Sequence, residues 1–373
     1  MADWTKPFEA SYTWWRVPRS SFDPYITGSE GVETERIPNI TRATLQLNDS
    51  TETFETGRAQ CVGMLDVGTD LIRCHMTATW ADGTVEDVVL GTYNVSIPSR
   101  DVLGSYAECE AVLDGRLIEL QQDAFETPLV VPKNVNGAAY AFGIAQTRGL
   151  TFADHLDVGE FTTSQRAYGL GVEGDGDGSV LSAYNDLMVN TQGTRAAKTD
   201  PWGRILVLKP IDYGGAPSWT FAEGANATFL SEATDERDTT GVCNVVACVY
   251  EDGDAMVVGT AEDNDPASPW SIANYGRRKV AVYNYSTLPS GSTAAERKAN
   301  ADARAAALLD ENRSVVRRVT IKHTYCPARV GDIVEVSYPS AGIYGRFAVR
   351  AQTIEVGSAG CMTTSELRRF ERA

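Results

Sequence analysis

The alternation of apolar and polar residues predicts that the first 130 residues are built mostly of β-strands. Successive side chains of a strand point to opposite faces, so a strand with one buried face alternates in hydrophobicity. This alternation occurs in ATLQL (43–47), LIRCHMTATW (71–80), TVEDVVLGTYNVSIP (84–98) and SYAECEAV (105–112). Asp82-Gly83 predicts a hairpin turn between the second and third runs, because both residues tolerate positive φ. The run LDGRLIELQQ (113–122) predicts a short helix.

Helices and strands are mixed after residue 132. Helical spacing covers 134–150, where Gly149 is a stop signal, and 179–190. The segment 194–210 predicts a hairpin tipped by Asp200-Pro201-Trp202-Gly203. The predicted strands of the remaining chain are 218–234, 241–252, 315–325, 331–339 and 345–357.

An Ala-rich helix is predicted between the last two groups of strands. Thr293 and Glu296 form a capping box that opens it. Its apolar face consists mostly of small residues, which predicts that it packs closely against a sheet.

These elements predict an α+β protein that is mainly β, with β-rich ends around a mixed α/β middle region. A chain of 373 residues is too long for one ordinary core, which favours two or three domains. We divide it into an N-terminal β-domain (1–130), a mixed helix and hairpin domain (131–235) and a C-terminal β-domain that contains the Ala-rich helix (236–373).

The composition is that of a folded protein, with 43% hydrophobic and 22% charged residues. No apolar run reaches the roughly 18 residues that span a bilayer, and the first residues lack the pattern of a signal peptide. Seven cysteines scattered over the chain are unlike a disulfide framework. We therefore expect folding in a cytoplasm, with the cysteines reduced and buried.

The net charge of −17 argues against binding to the outside of a nucleic acid, which needs a basic surface. The charge is unevenly distributed, because residues 274–373 sum to +7 and residues 1–273 to −24. An acidic wall repels DNA, so this charge also suits a surface past which DNA must slide.

The stretch EGDGDGS (173–179) resembles the first half of a calcium-binding EF-hand loop. Such a loop needs acids at positions 1, 3 and 5, glycine at position 6 and a bidentate glutamate at position 12. The acids here are Glu173, Asp175 and Asp177. Position 12 is Tyr184, which offers no carboxylate. We favour a loop in which Asp177 or Ser179 caps the following helix, with metal binding as the alternative.

Other catalytic motifs are incomplete. GLGVEG (169–174) fits G-x-G-x-x-G, but no buried strand precedes it and its neighbouring acids would repel a pyrophosphate. The histidines, His75, His155 and His323, lack metal-ligand spacing. Ser340 is preceded by Tyr338 where a nucleophile elbow has glycine. Carboxylate pairs of a glycoside hydrolase stay open, since a sequence does not reveal their separation.

We therefore predict no catalytic residue, no cofactor or cofactor-binding residue and no metal ligand. Trp14, Trp15 and Trp202 lie beside turn or strand signals and could stack on sugars. Packing in the core or in a subunit interface is the favoured interpretation of these tryptophans.

A series of short motifs runs along the chain in an order typical of one protein family. The motifs are LGTYNVS (90–96), LDGRL (113–117), VVP (130–132), AYAF (139–142), DPWGR (200–204), WTF (219–221), RD (237–238), NVV (244–246), DPASP (265–269), GDIVEV (331–336) and MTTSELRR (362–369). From about residue 25 to 370, their order and spacing resemble the baseplate hub proteins at the distal tail tip of tailed bacteriophages, also called minor tail proteins.

The resemblance implies a homotrimer in which two β-barrel-like domains per chain form a ring of six around the DNA channel. It implies as partners the distal tail protein, the tape measure protein, and tail fibres or receptor-binding proteins, with DNA only in transit. Many such chains continue into a lytic peptidase or a fibre, whereas this one stops at Ala373, so we expect the hub alone. The expected location is the virion tail tip.

Two other functions stay open at this point. One is a tail protein that binds host-surface carbohydrate through exposed tryptophans and acidic loops. The other is a glycan hydrolase that uses unrecognised carboxylates.

Overall fold

The structure, a computed structural model, is mainly β and its strands pair mostly antiparallel. It describes residues 2–103, 106–154, 165–169, 178–191, 194–238, 242–252, 255–285, 289, 291–312, 314–357 and 361–372.

The strands are β1 (Phe8–Val17), β2 (Glu35–Arg36), β3 (Ile40–Asn48), β4 (Glu55–Val62), β5 (Leu71–Trp80), β6 (Val85–Leu103), β7 (Tyr106–Gly115), β8 (Leu129–Val131), β9 (Arg166–Tyr168), β10 (Lys198–Thr199), β11 (Ile205–Leu206), β12 (Trp219–Ala222), β13 (Phe229–Asp238), β14 (Val245–Asp252), β15 (Ala255–Glu262), β16 (Val280–Tyr285), β17 (Ser314–Thr324), β18 (Ile333–Tyr338), β19 (Ile343–Val356) and β20 (Met362–Arg372). The helices are α1 (Ile118–Gln121), α2 (Gly137–Gln146), α3 (Val180–Asn185), α4 (Ile272–Tyr275) and α5 (Ala294–Asn312). A π-helical turn, Asp186–Thr191, continues α3.

The chain divides into two compact units. Unit 1 comprises Met1–Glu232 and Ile321–Glu366, and unit 2 comprises Ala233–Thr320 and Leu367–Ala373. Strands β13, β17 and β20 contribute residues to both units. The division into three domains at 130 and 235 stays a prediction. The strand pairings of the described residues close no barrel.

Unit 1 is organised around a large sheet in which β19, β3, β4, β7, β6, β5, β1 and β2 are neighbours in that order. Alternation buries one face: along β4, Ala59 and Cys61 are buried while the residues beside them are exposed. Leu45, Ile72 and Leu113 from other strands join this core and are fully buried. Each such side chain contributes about 1.5–3 kcal/mol to stability.

A second core of unit 1 contains the helices of the middle region. Asn136 caps α2 by accepting hydrogen bonds from the backbone N–H groups of Ala138 and Ala139 at 2.9 and 3.2 Å. Gly149, at φ +80°, ends the helical segment as predicted. Ala145 and Leu181, on α2 and α3, are buried in this core.

Unit 2 contains a three-stranded sheet in the order β15-β14-β16, with α5 packed on one face. The predicted capping box is confirmed, since Glu296 N–H donates to Thr293 Oγ1 at 3.2 Å and Thr293 N–H donates to Glu296 Oε2 at 3.1 Å. The small-residue face is also confirmed: Ala301 and Ala305 are buried against the sheet. A Cβ at Gly259 would lie 2.2 Å from the Ala301 backbone, so only glycine allows this approach.

Most predicted strands and the 200–204 hairpin are confirmed, but several strands were missed, among them β1, β4, β15, β16 and β20. In β20 the buried positions include Thr363 and Ser365, so the strand lacks the apolar alternation that would reveal it. Strand β16 follows directly on a basic segment, Arg277-Arg278-Lys279, which obscured its apolar character.

Candidate functional site

The calcium-like stretch lies mostly outside the described residues, which begin again at residue 178. Ser179 is the N-cap of α3, and its hydroxyl accepts a hydrogen bond from Ser182 N–H at 3.1 Å. The predicted cap is therefore confirmed for Ser179. Tyr184, at position 12 of the loop, is buried in the second core of unit 1. Within the described ranges, no group of three or more His, Cys, Asp or Glu could hold a metal ion.

The two described histidines are both engaged. His75 Nδ1 lies 2.6 Å from Asp87 Oδ2, and its Nε2 lies 2.9 Å from Glu33 Oε1. His323 is 1% exposed and lies 2.8 Å from Ser365 Oγ, and burial lowers its pKa to about 4. His323 is therefore neutral near pH 7 and shielded from any substrate. His155 lies outside the described residues.

The Asp200–Arg204 hairpin is held by a set of contacts that sequence analysis did not single out. We call these contacts the hairpin clamp. The buried guanidinium of Arg73 stacks over the Trp202 ring at 4.6 Å and donates to Thr92 Oγ1 at 2.9 Å. Thr92 in turn donates to the Pro201 carbonyl at 2.8 Å. Arg116 donates to the Gly149 carbonyl at 2.9 Å. The clamp fixes the middle region on strands β5 and β6.

A second network, the Asp49 cluster, connects three segments of unit 1. The Asp49 carboxylate forms ion pairs with Arg195 at 2.6 Å, Arg350 at 2.9 Å and Lys198 at 3.4 Å. Burial would raise the pKa of Asp49, but these three cations prevail and hold it below its usual value. Because one carboxylate meets three cations, the cluster is a structural junction with a surplus of positive charge.

The signal for these networks in the sequence is slight. Arg73 interrupts the apolar run LIRCHMTATW, and a buried arginine needs a partner. Its partners Glu33 and Trp202 lie 40 and 129 positions away in the chain, however, so local reasoning could not identify them.

The tryptophans singled out from the sequence have different roles. Trp14 is buried in the first core of unit 1, which confirms the packing interpretation for this residue. Trp202 is covered by Arg73 and meets His75 edge to face. Trp15 is partly buried and donates from Nε1 to Thr13 Oγ1 at 3.2 Å.

The sheet of unit 2 has an apolar face opposite α5, which we call the open face. Its apolar residues are Ala247, Val249, Met256, Val258, Val280 and Val282, and the polar residues Glu251, Thr260 and Asn284 lie on the same face. Val280 and Val282 are 51% and 58% exposed although both lie within a strand. Their neighbours in register, Val245 and Ala247, are also apolar. An exposed apolar patch of this kind marks an interaction surface more often than an accident of sequence.

Strand β16 also lies at an edge of that sheet, since β14 is its one partner among the described residues. Its sequence, VAVYNY, carries no charge and no proline. Charged residues and prolines normally protect an edge strand from pairing with another chain. Because β16 has neither, this edge is open to a partner.

Comparisons with known proteins give a consistent result for the fold. No family model and no curated protein matches the chain. The tail protein from Neisseria meningitidis MC58 matches with a TM-score of 0.61 at 12% identity, over 96% of this chain and 97% of that chain. The chain has the fold of a phage tail protein. This confirms, for the fold, the resemblance carried by the sequence motifs.

Two further solved structures share this fold. The 43 kDa tail protein of prophage MuSo2 from Shewanella oneidensis matches with a TM-score of 0.59 at 9% identity, over 95% of this chain and 97% of that chain. A chain of the Francisella PdpA-VgrG complex matches with a TM-score of 0.54 at 6% identity, over 97% of this chain and 58% of that chain.

No helix among the described residues is long and apolar enough to cross a membrane.

Proposed function

We propose that this chain is the hub of a bacteriophage tail tip, a structural protein that forms a homotrimer around the DNA channel. The observation that carries the proposal is the likeness to two tail proteins over almost the whole length of all three chains. In the particle, the hub would contact the distal tail protein, the tape measure protein, and fibres or receptor-binding proteins. It would thus act through its interfaces, with DNA only passing through.

In this assembly each chain would contribute two barrel-like domains, 1–130 and 236–373, to a ring of six, with 131–235 between them. The strand-rich ends of the chain support that layout. The charge of −24 over residues 1–273 supports a channel lined by acids, because DNA is repelled from such a wall.

The open face of unit 2 is the surface that we assign to a second copy of the chain. It combines exposed valines with an edge strand that can extend a neighbouring sheet. The strand begins directly after Arg277-Arg278-Lys279, whereas residues 1–273 of any copy are strongly acidic. Opposite charges would therefore guide a basic edge of one copy toward an acidic surface of the next.

We assign no enzymatic activity to the chain. Both described histidines are held in hydrogen bonds, and His323 is buried. Carbohydrate binding has less support, because Trp14 is in the core and Trp202 is covered by Arg73.

Folding in the host cytoplasm before assembly at the tail tip agrees with the cysteines. All seven are free and buried, which suits a reducing compartment.

The test is the mass of the purified chain by light scattering, with negative-stain images of the same peak. We expect three times the chain mass of 40.4 kDa and a pierced ring. A monomer that forms no ring even after a distal tail protein is added would overturn the proposal.

The open face is tested separately by Val282→Lys, which places a charge in the expected interface. We expect the variant to be monomeric at concentrations where the unchanged chain is trimeric. Val85→Lys is the matched control, because Val85 is a similarly exposed valine, 60%, on strand β6 of unit 1. A trimer that survives Val282→Lys but dissociates with Val85→Lys would reassign the interface and leave the hub proposal standing.

A further inference from the structure

A cavity of about 60 Å³ lies inside unit 1. Phe54, Leu90 and Ile354 form part of its apolar wall, and Glu55, Thr199 and Thr363 supply polar groups. The three polar residues come from β4, β10 and β20, so the cavity is surrounded by segments that are distant in the sequence.

Three polar side chains of this cavity are buried without a well-aligned hydrogen-bond partner among the described residues. Glu55 is fully buried, and neither carboxyl oxygen accepts a well-aligned hydrogen bond from a described residue, although the Thr199 hydroxyl acts on this carboxyl group and lowers its pKa. The hydroxyls of Thr199 and Thr363 are likewise buried, with no well-aligned hydrogen-bond partner among the residues that the structure describes. Buried polar groups are normally satisfied by protein or by ordered water, and leaving several unpaired at one place costs free energy.

Among the described cations, Arg329 lines the same cavity and lowers the pKa of Glu55, but by less than burial raises it. The nearby Lys198 ammonium donates to the Asp49 carbonyl at 3.0 Å and belongs to the Asp49 cluster. The nearby Asp200 carboxylate forms its own ion pair with Arg204 at 2.6 Å.

Burial raises the pKa of Glu55 well above its usual value, and the charge of Asp200 raises it further. The Thr199 hydroxyl, as a hydrogen-bond donor, and the positive charge of Arg329 lower the pKa of Glu55, but each does so more weakly. This shift favours the protonated carboxylic acid, which can both donate and accept a hydrogen bond.

The shape of unit 1 preserves room for these groups. A Cβ at Gly115 would lie 2.7 Å from Glu55 Cβ and 3.2 Å from its Oε2. Glycine at this position therefore lets the carboxyl group occupy its site without a clash.

We propose that this cavity is an internal water site, in which two to four water molecules link the carboxyl group of Glu55 to the hydroxyls of Thr199 and Thr363. The cavity has room for this number, since one water needs roughly 10–15 Å³, and each water needs two to four polar partners. The waters join β4, β10 and β20 and so fasten the hairpin segment to two strands of unit 1.

Crystallography of the whole chain at a resolution that shows ordered solvent tests the site directly. We expect water density within hydrogen-bond distance of Glu55 and both threonines, and the same density in Glu55→Gln. Crystals grown in rubidium chloride separate water from a cation, because rubidium gives an anomalous signal. A direct Glu55–Thr199 hydrogen bond in a dry cavity, or an anomalous peak there, would overturn the proposal.

Two measurements in solution keep the proposal testable without crystals. Thr363→Val keeps the shape but removes one partner of the waters, so we expect its melting temperature to fall by several degrees. Thr220→Val, at an exposed threonine of β12, is the control and should change little. Equal melting temperatures for Thr363→Val and the unchanged chain would count against the site.

The second measurement follows the urea midpoint as pH rises from 5 to 9. Burial raises the pKa of Glu55 in the folded chain above the unfolded value of about 4.3, so stability falls as pH rises between the two pKa values. We expect Glu55→Gln to remove this part of the slope, and an unchanged slope would contradict a neutral Glu55.

Discussion

Unit 1 and unit 2 bury polar groups and expose apolar ones to different extents. Unit 1 has two extensive cores, and its buried cations Arg73 and Lys198 are paired with Glu33 and Asp49. Unit 2 has one smaller core under α5 and leaves the open face with valines more than half exposed. Where buried charges are paired within one unit, these pairs fix the positions of the segments that carry them. A region with an open apolar face can gain stability when a partner covers it.

The largest effect is expected where unit 1 depends on a buried charge. Arg73→Ala should lower the free energy of unfolding by about 3–5 kcal/mol, because it removes one partner of a buried ion pair. Urea denaturation followed by circular dichroism measures this change. Arg58→Ala is the control: its side chain is 73% exposed and pairs with Glu110, so we expect a change of about 0.5 kcal/mol or less. Similar losses for both would contradict the importance of the clamp.

A pH-dependent effect of comparable size is expected in unit 1 from His323. Burial lowers its pKa to about 4, whereas an unfolded histidine has a pKa of about 6.5. Between these values the unfolded chain binds a proton that the folded chain does not, so stability falls as pH drops through this window. The loss is about 3 kcal/mol in total.

The urea midpoint between pH 7 and pH 4 measures this dependence. We expect His323→Gln to be less sensitive to pH over that range than the unchanged chain. If both chains lose stability equally, His323 is not the group responsible.

An intermediate effect is expected in unit 2 at the contact between sheet and helix. Gly259→Ala places a methyl group against the Ala301 backbone and should cost about 1–3 kcal/mol through overpacking. Gly143→Ala in α2 meets open space, and the helix propensity of alanine should stabilise it by about 0.5–1 kcal/mol. Thermal unfolding compares the two, and a neutral Gly259→Ala would show that α5 packs more loosely than described.

The smallest effect on folding is expected at the open face. Val282→Lys should change the stability of the isolated chain by about 0.5 kcal/mol or less, because the side chain is already more than half exposed. Urea denaturation at a concentration where the chain is monomeric measures this. A loss as large as that of Gly259→Ala would mean that Val282 is part of a core, and the contrast between the two units would disappear.

Local patterns predicted individual elements well. The alternation of LIRCHMTATW matches β5, and the Thr293–Glu296 capping box opens α5 as expected. The same reasoning missed β20, where Thr363 and Ser365 occupy buried positions. It could not reveal the Asp49 cluster, because Arg195 and Arg350 are far from Asp49 in the chain.

The sequence by itself determined the mainly β character, the caps and turns, the acidic charge and the resemblance to tail hub proteins. These follow from side-chain spacing and residue type, which act over a few neighbouring positions. The tertiary structure decided which charges are buried together, which face of the unit 2 sheet stays uncovered and that Glu55 lines a cavity. Those features depend on contacts between distant segments, and the folded chain alone brings their side chains within a few ångströms of one another.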